Sequence, residues 1–450
     1  MTLRSYFFLF TALWAGLFAT PAGATKAPNI LFIFSDDQGM NDIGCYGSEI
    51  PTPHIDSIAK NGIKFDSFYV AAPVCTPSRF ALLTGRFPNR AQDDLRHALM
   101  FLDKRDDTVG IHTNETTMSQ VLQKKGYRTA LLGKWHLGHG SPAFFPNEHG
   151  FDYSYGTTGG CIDYFSLKYG DKPDWARNGT LIEEQGYSTD LISSEAVHFL
   201  EGQKSAKPFF LYLAYTSPHY GKGWNEKTHK PTNVLQAKEK DRERLSQIAD
   251  KDRREFAGMV VAMDDGIGRV LETLHRMKLE KDTLVIFACD NGADPHYGGS
   301  NKPFRGQKNQ LFEGGIHVPC LAQWPGKIKA GQTIQEPITA LDFFPTFCEL
   351  TGAKTKGLPL DGNSILPLLL KQRAPKQRDL FWRTQAADAL RRGSWKYLRV
   401  GKDEMLFNLK DDPYEQKNLA DTKPELLSEL RTAHNKIAGS FPAKVPDQNF

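Results

Sequence analysis

Short apolar runs alternate with helix-like segments along most of the chain, and this alternation constrains the fold more than any other feature. The runs typical of buried strands are NILFIFS, IKFDSFYV, YRTALLG, PFFLYLAYTS and TLVIFAC. Segments such as TMSQVLQKKG and TDLISSEAVHFLEG lie between them, and residues 255–277 carry an apolar residue at every third or fourth position. The pattern predicts an α/β fold with a large mixed, mainly parallel sheet flanked by helices.

The character of the sequence changes after about residue 370. DLFWRT, SWKYLRVG and EMLFNLKDDP are typical of antiparallel strands, and ELLSELRTAHNKIAG is typical of a closing helix. We therefore expect a main α/β domain over residues 25–370 and a smaller C-terminal subdomain, an antiparallel sheet plus helix, over residues 371–450. The charge-rich residues 220–253 are interpreted as a surface excursion, with a substrate-covering loop as the alternative.

The first 24 residues have the three parts of a secretory signal peptide. A basic start precedes the 13-residue apolar stretch YFFLFTALWAGLF and the sequence AGA at 22–24. Because so short a stretch cannot span a bilayer, we expect no transmembrane anchor and an exported protein, periplasmic or secreted. The net charge of +4 is scattered along the chain, so we expect no nucleic-acid partner.

Polar side chains follow four of the apolar runs, where the predicted strands end. They are Asp36, Asp37, Lys134, His136, His219, Asp290 and Asn291. Because ligands bind beyond the carboxyl ends of parallel strands, we expect these side chains to meet at one site. Three carboxylates and an amide favour calcium or magnesium over zinc. Taken alone, an Asp-Asp or Asn-Gly pair is more often a turn or a helix cap.

Basic side chains supply the opposite charge. Lys134, His136 and His219, with Arg79 and Lys308, would surround an anionic group held against the cation. Any one of them alone is more often solvated or packed in a core, so their shared placement carries the argument.

Cys75 stands in an unusual neighbourhood, AAPVCTPSRFALLTGR. Pro77 suits the first turn of a helix, which would place Cys75 at its electropositive N-terminal end. If Cys75 is reserved for chemistry, five of the six cysteines remain, and Cys289 and Cys320 lie in strand-like runs. Any disulfide pairing stays open.

In these residues the chain resembles the type I, formylglycine-dependent sulfatases of the alkaline-phosphatase-like superfamily, which include arylsulfatases and carbohydrate sulfatases. The signature Cys-x-Pro-x-Arg is present at residues 75–79, and the second signature is present as GYRTALLGKWHLG at residues 126–138. The other motifs in family order are Asp36-Asp37, Ser217-Pro218-His219, Asp290-Asn291-Gly292, Gly306-Gln307-Lys308 and Glu313-Gly314-Gly315. Seven motifs in register make the resemblance specific.

The resemblance implies hydrolysis of sulfate esters, with cleavage of the S–O bond through a sulfated formylglycine intermediate at residue 75. A maturation enzyme acting on the segment CTPSR would convert Cys75 to formylglycine. One calcium ion would be bound by Asp36, Asp37, modified Cys75, Asp290 and Asn291.

The family also implies roles for the catalytic set, which is Cys75, Arg79, Lys134, His136, His219 and Lys308. Arg79 would orient the modified residue, Asp290 would be the first base, and His136 would deprotonate the second hydroxyl. His219 or Lys308 would protonate the leaving alcohol. In EGGIHVP, His317 stands where the family commonly has arginine, which leaves the catalytic set intact.

An exported sulfatase meets glycans, so we expect a sulfated carbohydrate as substrate. Lys134, His219 and Lys308 would bind it, with His97 and Asp163 as further candidates in loops outside the motifs. Other candidates are Arg96, Tyr164, Tyr220, Trp224 and His296, for each of which packing or solvation is at least as common. The alternatives are a phosphate or phosphonate ester hydrolase of the same superfamily and a non-catalytic glycan-binding protein.

Overall fold

The structure is a computed structural model that describes residues 27–203, 207–354 and 359–441. The strands of these residues are β1 Asn29–Ser35, β2 Ile63–Phe65, β3 Phe68–Tyr69, β4 Arg128–Lys134, β5 Tyr153–Thr157, β6 Lys168–Tyr169, β7 Lys172–Pro173, β8 Ala176–Arg177, β9 Thr180–Leu181, β10 Phe209–Ala214, β11 Gly221–Asn225, β12 Lys230–Val234, β13 Thr283–Cys289, β14 Cys320–Gln323, β15 Gln332–Ile334, β16 Ile338–Thr339, β17 Asp379–Arg383, β18 Ala387–Arg392, β19 Trp395–Val400 and β20 Asp403–Asn408. The helices are α1 Pro53–Lys60, α2 Cys75–Thr84, α3 Met118–Lys124, α4 Ser188–Glu201, α5 Glu239–Glu243, α6 Lys251–Arg276, α7 Glu313–Ile316, α8 Phe343–Thr351, α9 Leu366–Lys371 and α10 Pro424–Ala438.

The large sheet is mixed and mainly parallel, as the sequence predicts. Within the described residues it has ten strands in the order β15-β2-β14-β13-β1-β10-β4-β5-β8-β9. The four central strands β13, β1, β10 and β4 are parallel to one another, and antiparallel pairs lie toward both edges. The carboxyl ends of the central strands therefore meet at one edge of the sheet, which positions the candidate site.

The central strand β1 is buried along its whole length because helices cover both faces of the sheet. Leu31 and Ile33 pack with residues of α4 and α6, while Phe32 and Phe34 belong to the core that includes α8. Alternate residues of a strand point to opposite faces, which explains this division. Burying each such side chain contributes about 1.5–3 kcal/mol, so an uninterrupted apolar run is required here.

Two local differences from the sequence expectations have simple causes. The segment IKFDSFYV forms two short strands, because β2 pairs within the large sheet whereas β3 pairs with β16. The long helix α6 begins earlier than the apolar pattern indicates, because Asp250 caps it by accepting a hydrogen bond from the Arg253 N–H. Residues 220–253 contain the hairpin β11–β12 and the short helix α5.

The C-terminal antiparallel sheet and its helix are confirmed. The sheet has the order β17-β18-β19-β20, and α10 packs against it through Leu430, which lies in one core with Leu390 and Leu406. Its other face shares the main core, where the Trp382 indole N–H donates to the Val70 carbonyl at 2.7 Å. Strand β18 was not expected, since its sequence ADALRR has no strand alternation. The domain boundary at residue 370 stays a prediction.

The signal-peptide prediction for residues 1–24 lies outside the described residues. Among the helices that the structure does describe, none has the length and hydropathy to cross a membrane.

Candidate active site

The polar residues predicted at the strand ends do meet at the carboxyl edge of the central strands. Asp36 and Asp37 follow β1, Lys134 ends β4, and Asp290 follows β13. Two further segments bring His219 from beyond β10 and Lys308 from the loop before α7. The group is buried throughout, with no member more than 8% exposed. We call Asp36, Asp37, Arg79, Lys134, His219, Asp290, Asn291 and Lys308 the strand-end cluster.

Cys75 is the first residue of α2, at the helix end that faces this cluster. A ligand atom of Cys75 lies within 4.8 Å of ligand atoms of Asp36 and Asp290. Burial raises the pKa of the Cys75 thiol, with Lys134 and Lys308 opposing the effect. A protonated thiol is a weak nucleophile, so the unmodified side chain is poorly suited to attack an ester.

Arg79 lies one turn along α2 and reaches back to the cluster. Its Nε and Nη2 donate to Asp290 Oδ2 at 3.1 and 2.7 Å, and its Nη1 donates to the Lys134 carbonyl at 3.2 Å. The guanidinium and the carboxylate are both fully buried. This ion pair fixes the start of α2 against the end of β13.

The neighbouring carboxyls of Asp36 and Asp37 have opposite pKa shifts. Burial, then the charge of Asp290, raises the pKa of Asp36 to about 8, although Lys134 Nζ lies 2.5 Å from it. Burial also acts on Asp37, but the charge of Lys308 and its hydrogen bond outweigh it and lower the pKa of Asp37 to about 2. Negative charge at Asp36 is therefore not fully compensated by the protein itself.

Two buried oxygen atoms of this cluster have no hydrogen-bond partner among the described residues. They are Asp36 Oδ1 and Asn291 Oδ1. The Asn291 amide nitrogen donates to Asp37 Oδ1 at 2.7 Å, which leaves its oxygen available. Buried oxygens of this kind are costly unless a ligand completes them. An all-oxygen set with three carboxylates fits a hard divalent cation such as calcium.

His219 and Lys308 form a hydrogen-bonded pair. The His219 Nδ1–H donates to the Tyr220 carbonyl at 2.8 Å, so its Nε2 is the acceptor for Lys308 Nζ at 3.0 Å. Lys308 Nζ also donates to Asp37 Oδ2 at 2.6 Å. Burial, followed by the Lys308 charge, lowers the pKa of His219 well below its usual range. The imidazole is therefore neutral at physiological pH.

His136 faces the cluster from the loop after β4. Its ring Nε2–H donates to the Leu99 carbonyl at 2.8 Å, while its buried Nδ1 has no partner in the described part of the chain. Burial, followed by the Lys134 charge, lowers the pKa of His136 well below its usual range. The free lone pair on Nδ1 is thus available to accept a proton.

His97 and Asp163 have other contacts. His97 Nε2 lies 3.4 Å from Asp106 Oδ1, and the side chain is 39% exposed. Asp163 Oδ1 accepts the N–H groups of Phe165 and Ser166, and its Oδ2 accepts from Gln236 at 2.7 Å. None of these bonds joins either residue to the strand-end cluster, and their role in substrate binding stays a prediction.

Two supporting residues were missed from the sequence. The Thr76 hydroxyl donates to the His136 carbonyl at 3.1 Å and accepts a hydrogen bond from the Leu99 N–H at 3.1 Å. Since the His136 ring bonds to the Leu99 carbonyl, Thr76 connects the backbone of His136 to the residue that holds its ring. Buried Asp174 accepts from Thr158 and Gly159 and holds the loop against the His136 ring. Thr76 lies inside the signature and could have been singled out, whereas Asp174 in DKPDWA gives no signal.

His317 lies away from the strand-end cluster. Its ring stacks on Tyr69 at 4.8 Å between centroids, and its Nε2–H donates to the Asp66 carbonyl at 2.9 Å. Its Nδ1 lies 3.2 Å from Glu313 Oε2. The replacement of the usual arginine therefore changes a structural contact behind the site.

Comparison with known proteins identifies the family. The sulfatase family profile matches residues 28–353, and the profile described as N-sulphoglucosamine sulphohydrolase, C-terminal, matches residues 306–438. Human N-acetylgalactosamine-6-sulfatase is 34% identical over 415 residues, which cover 85% of this chain and 75% of the relative. Bovine arylsulfatase A is 31% identical over 490 residues, which cover 95% and 90%.

A solved structure is similar to this protein over most of the chain. The crystal structure of Ps i-CgsB in complex with k-i-k-neocarrahexaose superposes with a TM-score of 0.84 and 35% identity, covering 92% of this chain and 94% of that chain. The family profile spans well over half of the chain and includes every member of the strand-end cluster. The chain therefore belongs to the sulfatase family, the type I sulfatases of the alkaline-phosphatase-like superfamily, and is a sulfuric ester hydrolase.

Proposed function

We propose that Cys75 is converted to formylglycine by a dedicated maturation enzyme and that the hydrated aldehyde supplies the nucleophilic hydroxyl for sulfate-ester cleavage. The observation that carries this proposal is the position of Cys75, buried at the start of α2 and within 4.8 Å of ligand atoms of Asp36 and Asp290. The segment CTPSR that the maturation enzyme would act on is intact.

Intact-peptide mass spectrometry of the active enzyme tests the conversion. We expect an aldehyde at residue 75 that reacts with an aminooxy probe and resists alkylation by iodoacetamide. A fully active preparation in which residue 75 is an alkylatable thiol would contradict the proposal.

Asp36, Asp37, Asp290 and Asn291 would hold one calcium ion, together with an oxygen of modified residue 75. The unpartnered oxygens of Asp36 and Asn291 support this assignment. When bound, calcium supplies positive charge that neutralises the sulfate group and favours its in-line orientation.

The protein's own side chains complete the site. Lys134 and Lys308 are the cations available to the sulfate oxygens, and Arg79 orients residue 75 from the next turn of α2. Asp290, whose Oδ2 accepts a hydrogen bond from Arg79, would accept the proton of the attacking hydroxyl. 

Two further groups would transfer protons in this proposal. The free Nδ1 of His136 accepts the proton that is lost when sulfate is released. Lys308, hydrogen-bonded to His219, lets this pair deliver a proton to the leaving alcohol.

The substrate we propose is a sulfated carbohydrate. Relatives named N-acetylgalactosamine-6-sulfatase are 34% identical to this chain, and the structure at 35% identity contains a neocarrahexaose. His97 and Asp163 remain proposed contacts to this substrate. Its position of sulfation is left to experiment.

A sulfate-release screen over defined mono- and oligosaccharides, with aryl sulfate and aryl phosphate side by side, tests this assignment. We expect a kcat/KM for aryl sulfate that exceeds that for aryl phosphate, and higher values for one sulfated sugar than for aryl sulfate. Preference for the phosphate would favour a phosphate or phosphonate ester hydrolase instead.

We also propose that residues 1–24 direct export to the periplasm or the exterior. N-terminal sequencing of the protein from its native host should give Thr25 as the first residue. Retention of residues 1–24 in the mature protein would contradict export by this route.

A further inference from the structure

The hairpin β11–β12 adjoins the candidate active site through Tyr220. Tyr220 directly follows His219, and its ring centroid lies 4.1 Å from that of His219 and 4.3 Å from that of Tyr297. Lys308 Nζ lies 5.8 Å from the centroid of the Tyr220 ring. Two aromatic rings therefore extend from the sulfate-binding residues toward the hairpin.

Lys222 and Asn233 are paired directly across the hairpin and share one face of it. Lys222 Nζ donates to Asn233 Oδ1 at 2.6 Å, and Asn233 Nδ2 donates to the Tyr297 hydroxyl oxygen at 2.6 Å. Because the Tyr297 oxygen accepts, its own O–H remains a donor. The hydrogen bonds fix the ammonium group at the end of the two rings.

Lys222 differs from the buried lysines of this protein in its partners. Lys134, Lys308 and Lys396 each have a carboxylate oxygen within 2.8 Å. Lys222 is half-buried, and its Nζ lies 5.7 Å from the centroid of the Tyr169 ring. Across residues 27–203, 207–354 and 359–441, however, no carboxylate forms an ion pair with it. Partial burial of an ammonium without a counter-charge is unfavourable. An anionic ligand would supply that charge.

The charge of Lys222 affects the pKa of a buried thiol, Cys161, that the charges of Lys134 and Lys308 also affect. The thiol of Cys161 has its pKa raised by burial to about 12, and Lys134, Lys222 and Lys308 all oppose this shift. This agrees with the chain of contacts that leads from His219 through Tyr220, Tyr297 and Asn233 to Lys222.

We propose that Lys222, Asn233 and Tyr297 form a subsite for a second acidic group, a sulfate or a carboxylate, carried by the same carbohydrate as the scissile sulfate. This inference rests on the proposed carbohydrate sulfatase function and deepens it. The Lys222 ammonium, through N–H groups that do not donate to Asn233, and the Tyr297 O–H bind the acidic group, while the Tyr220 ring packs against the sugar. The substrate class is a carbohydrate with at least two acidic groups.

Kinetics on matched substrates test the subsite. The first pair of probes is N-acetylgalactosamine 6-sulfate and N-acetylgalactosamine 4,6-disulfate. The second pair is the 6-sulfated sugar linked to a hexuronate and the same disaccharide with the hexuronate as its methyl ester. The first pair reports a second sulfate and the second pair reports a carboxylate. Assays at physiological ionic strength suppress charge effects beyond about 8 Å.

The variants are Lys222→Met, Lys222→Arg and Asn233→Asp, with Lys227→Met at the exposed tip of the same hairpin as control. We expect the wild type to prefer the more acidic member of at least one pair. Lys222→Met should lower that preference at least tenfold, mainly through KM, because the contact is made away from the reacting atoms. Asn233→Asp should also lower the preference for the more acidic substrate, because the new carboxylate would form an ion pair with Lys222. Lys222→Arg should retain most of that preference.

An unchanged preference in Lys222→Met, an equal loss in Lys227→Met, or no wild-type preference in either pair would overturn the subsite. Sulfate release from aryl sulfate but from no sugar would overturn it as well. Failure of the proposed function has a different signature, since the wild type would then release sulfate from neither the sugars nor aryl sulfate.

Discussion

In the residues that the structure describes, two buried clusters of charged side chains differ in how completely hydrogen bonds and ion pairs satisfy them. The strand-end cluster contains the unpartnered oxygens of Asp36 and Asn291. The second group, which we call the Glu313 cluster, consists of Glu313, Glu415, Lys396, Tyr69, His317 and Arg391. In it Lys396 Nζ lies 2.8 Å from one oxygen of each glutamate, and the Tyr69 hydroxyl donates to Glu313 at 2.5 Å.

The pKa shifts do not separate the two clusters, because each contains one carboxyl whose pKa is raised and one whose pKa is lowered. At the strand ends, burial and Asp290 raise the pKa of Asp36 to about 8. In the Glu313 cluster, burial likewise raises the pKa of Glu415, whereas Lys396 and then His317 hold the pKa of Glu313 well below its usual range.

The strand-end cluster keeps two buried oxygens, Asp36 Oδ1 and Asn291 Oδ1, without a hydrogen-bond partner in the described residues. In the Glu313 cluster Lys396 Nζ lies 2.8 Å from an oxygen of each glutamate. Glu415 Oε1 also lacks a hydrogen bond in the part of the chain that the structure describes, but Lys396 Nζ lies 2.8 Å from it. Buried oxygens with neither a hydrogen bond nor a cation beside them therefore distinguish a ligand site from a structural ion cluster better than burial, charge or pKa does.

The largest effect is expected at the nucleophile. Cys75→Ala should lower kcat for aryl sulfate by at least ~10⁴-fold, because no group remains that can be converted to the attacking hydroxyl. Cys161→Ala removes another buried thiol near the site and is the matched control, with activity within a few fold of wild type. Purified Cys75→Ala protein that turned over substrate normally would exclude the covalent mechanism.

The next largest effect is a loss of stability, expected in the Glu313 cluster. Lys396→Met should destabilise the protein by about 3–5 kcal/mol, because it leaves the buried carboxylates of Glu313 and Glu415 without their cation. Urea unfolding measures the loss. The combined variant Lys396→Met, Glu313→Gln, Glu415→Gln should recover much of it. If the single variant were as stable as wild type, the comparison between the clusters would be wrong.

Calcium should stabilise the protein by binding to the strand-end cluster and not to the Glu313 cluster. At a calcium concentration about 100 times Kd, binding should add about 2.7 kcal/mol, seen as a rise in Tm that a chelator reverses. Asp36→Asn should abolish the rise by removing a ligand charge, while Glu313→Gln should retain it. Equal Tm shifts in both variants would place the ion elsewhere.

The strand-end cluster could be predicted from the sequence because the order of parallel strands brings their ends together. Asp36, Lys134 and Asp290 each follow an apolar run, so the run also indicates where the side chain lies. A different signal, Pro77 in the first turn, predicted Cys75 at the start of a helix, which the structure confirms.

The Glu313 cluster and the Lys222 subsite could not be predicted in this way. Glu313 and Glu415 are 102 positions apart, and the C-terminal sheet must pack on the main domain before they meet. Lys222 lies in a charge-rich segment interpreted as a surface excursion, and its position depends on the cross-strand pair with Asn233. Contacts that depend on packing between distant, irregular segments leave no periodic signal in the sequence.

The smallest effect is expected at His317, the one visible departure from the family motifs. His317→Ala removes the hydrogen bond to the Asp66 carbonyl and the stacking on Tyr69, so it should destabilise the protein by about 1–2 kcal/mol. Since no contact joins His317 to the strand-end cluster in the described residues, kcat should stay within about twofold of wild type.

His317→Arg separates a structural from a catalytic role at this position. Arginine would restore the residue common in the family and place a permanent charge near Glu313, so stability should equal or exceed that of His317→Ala at unchanged kcat. A tenfold fall in kcat with stability preserved, in either variant, would mean that the Glu313 cluster positions the catalytic residues. The strand-end cluster and the Glu313 cluster would then act together in catalysis. Unpartnered oxygens would in that case not tell the catalytic cluster from the structural one.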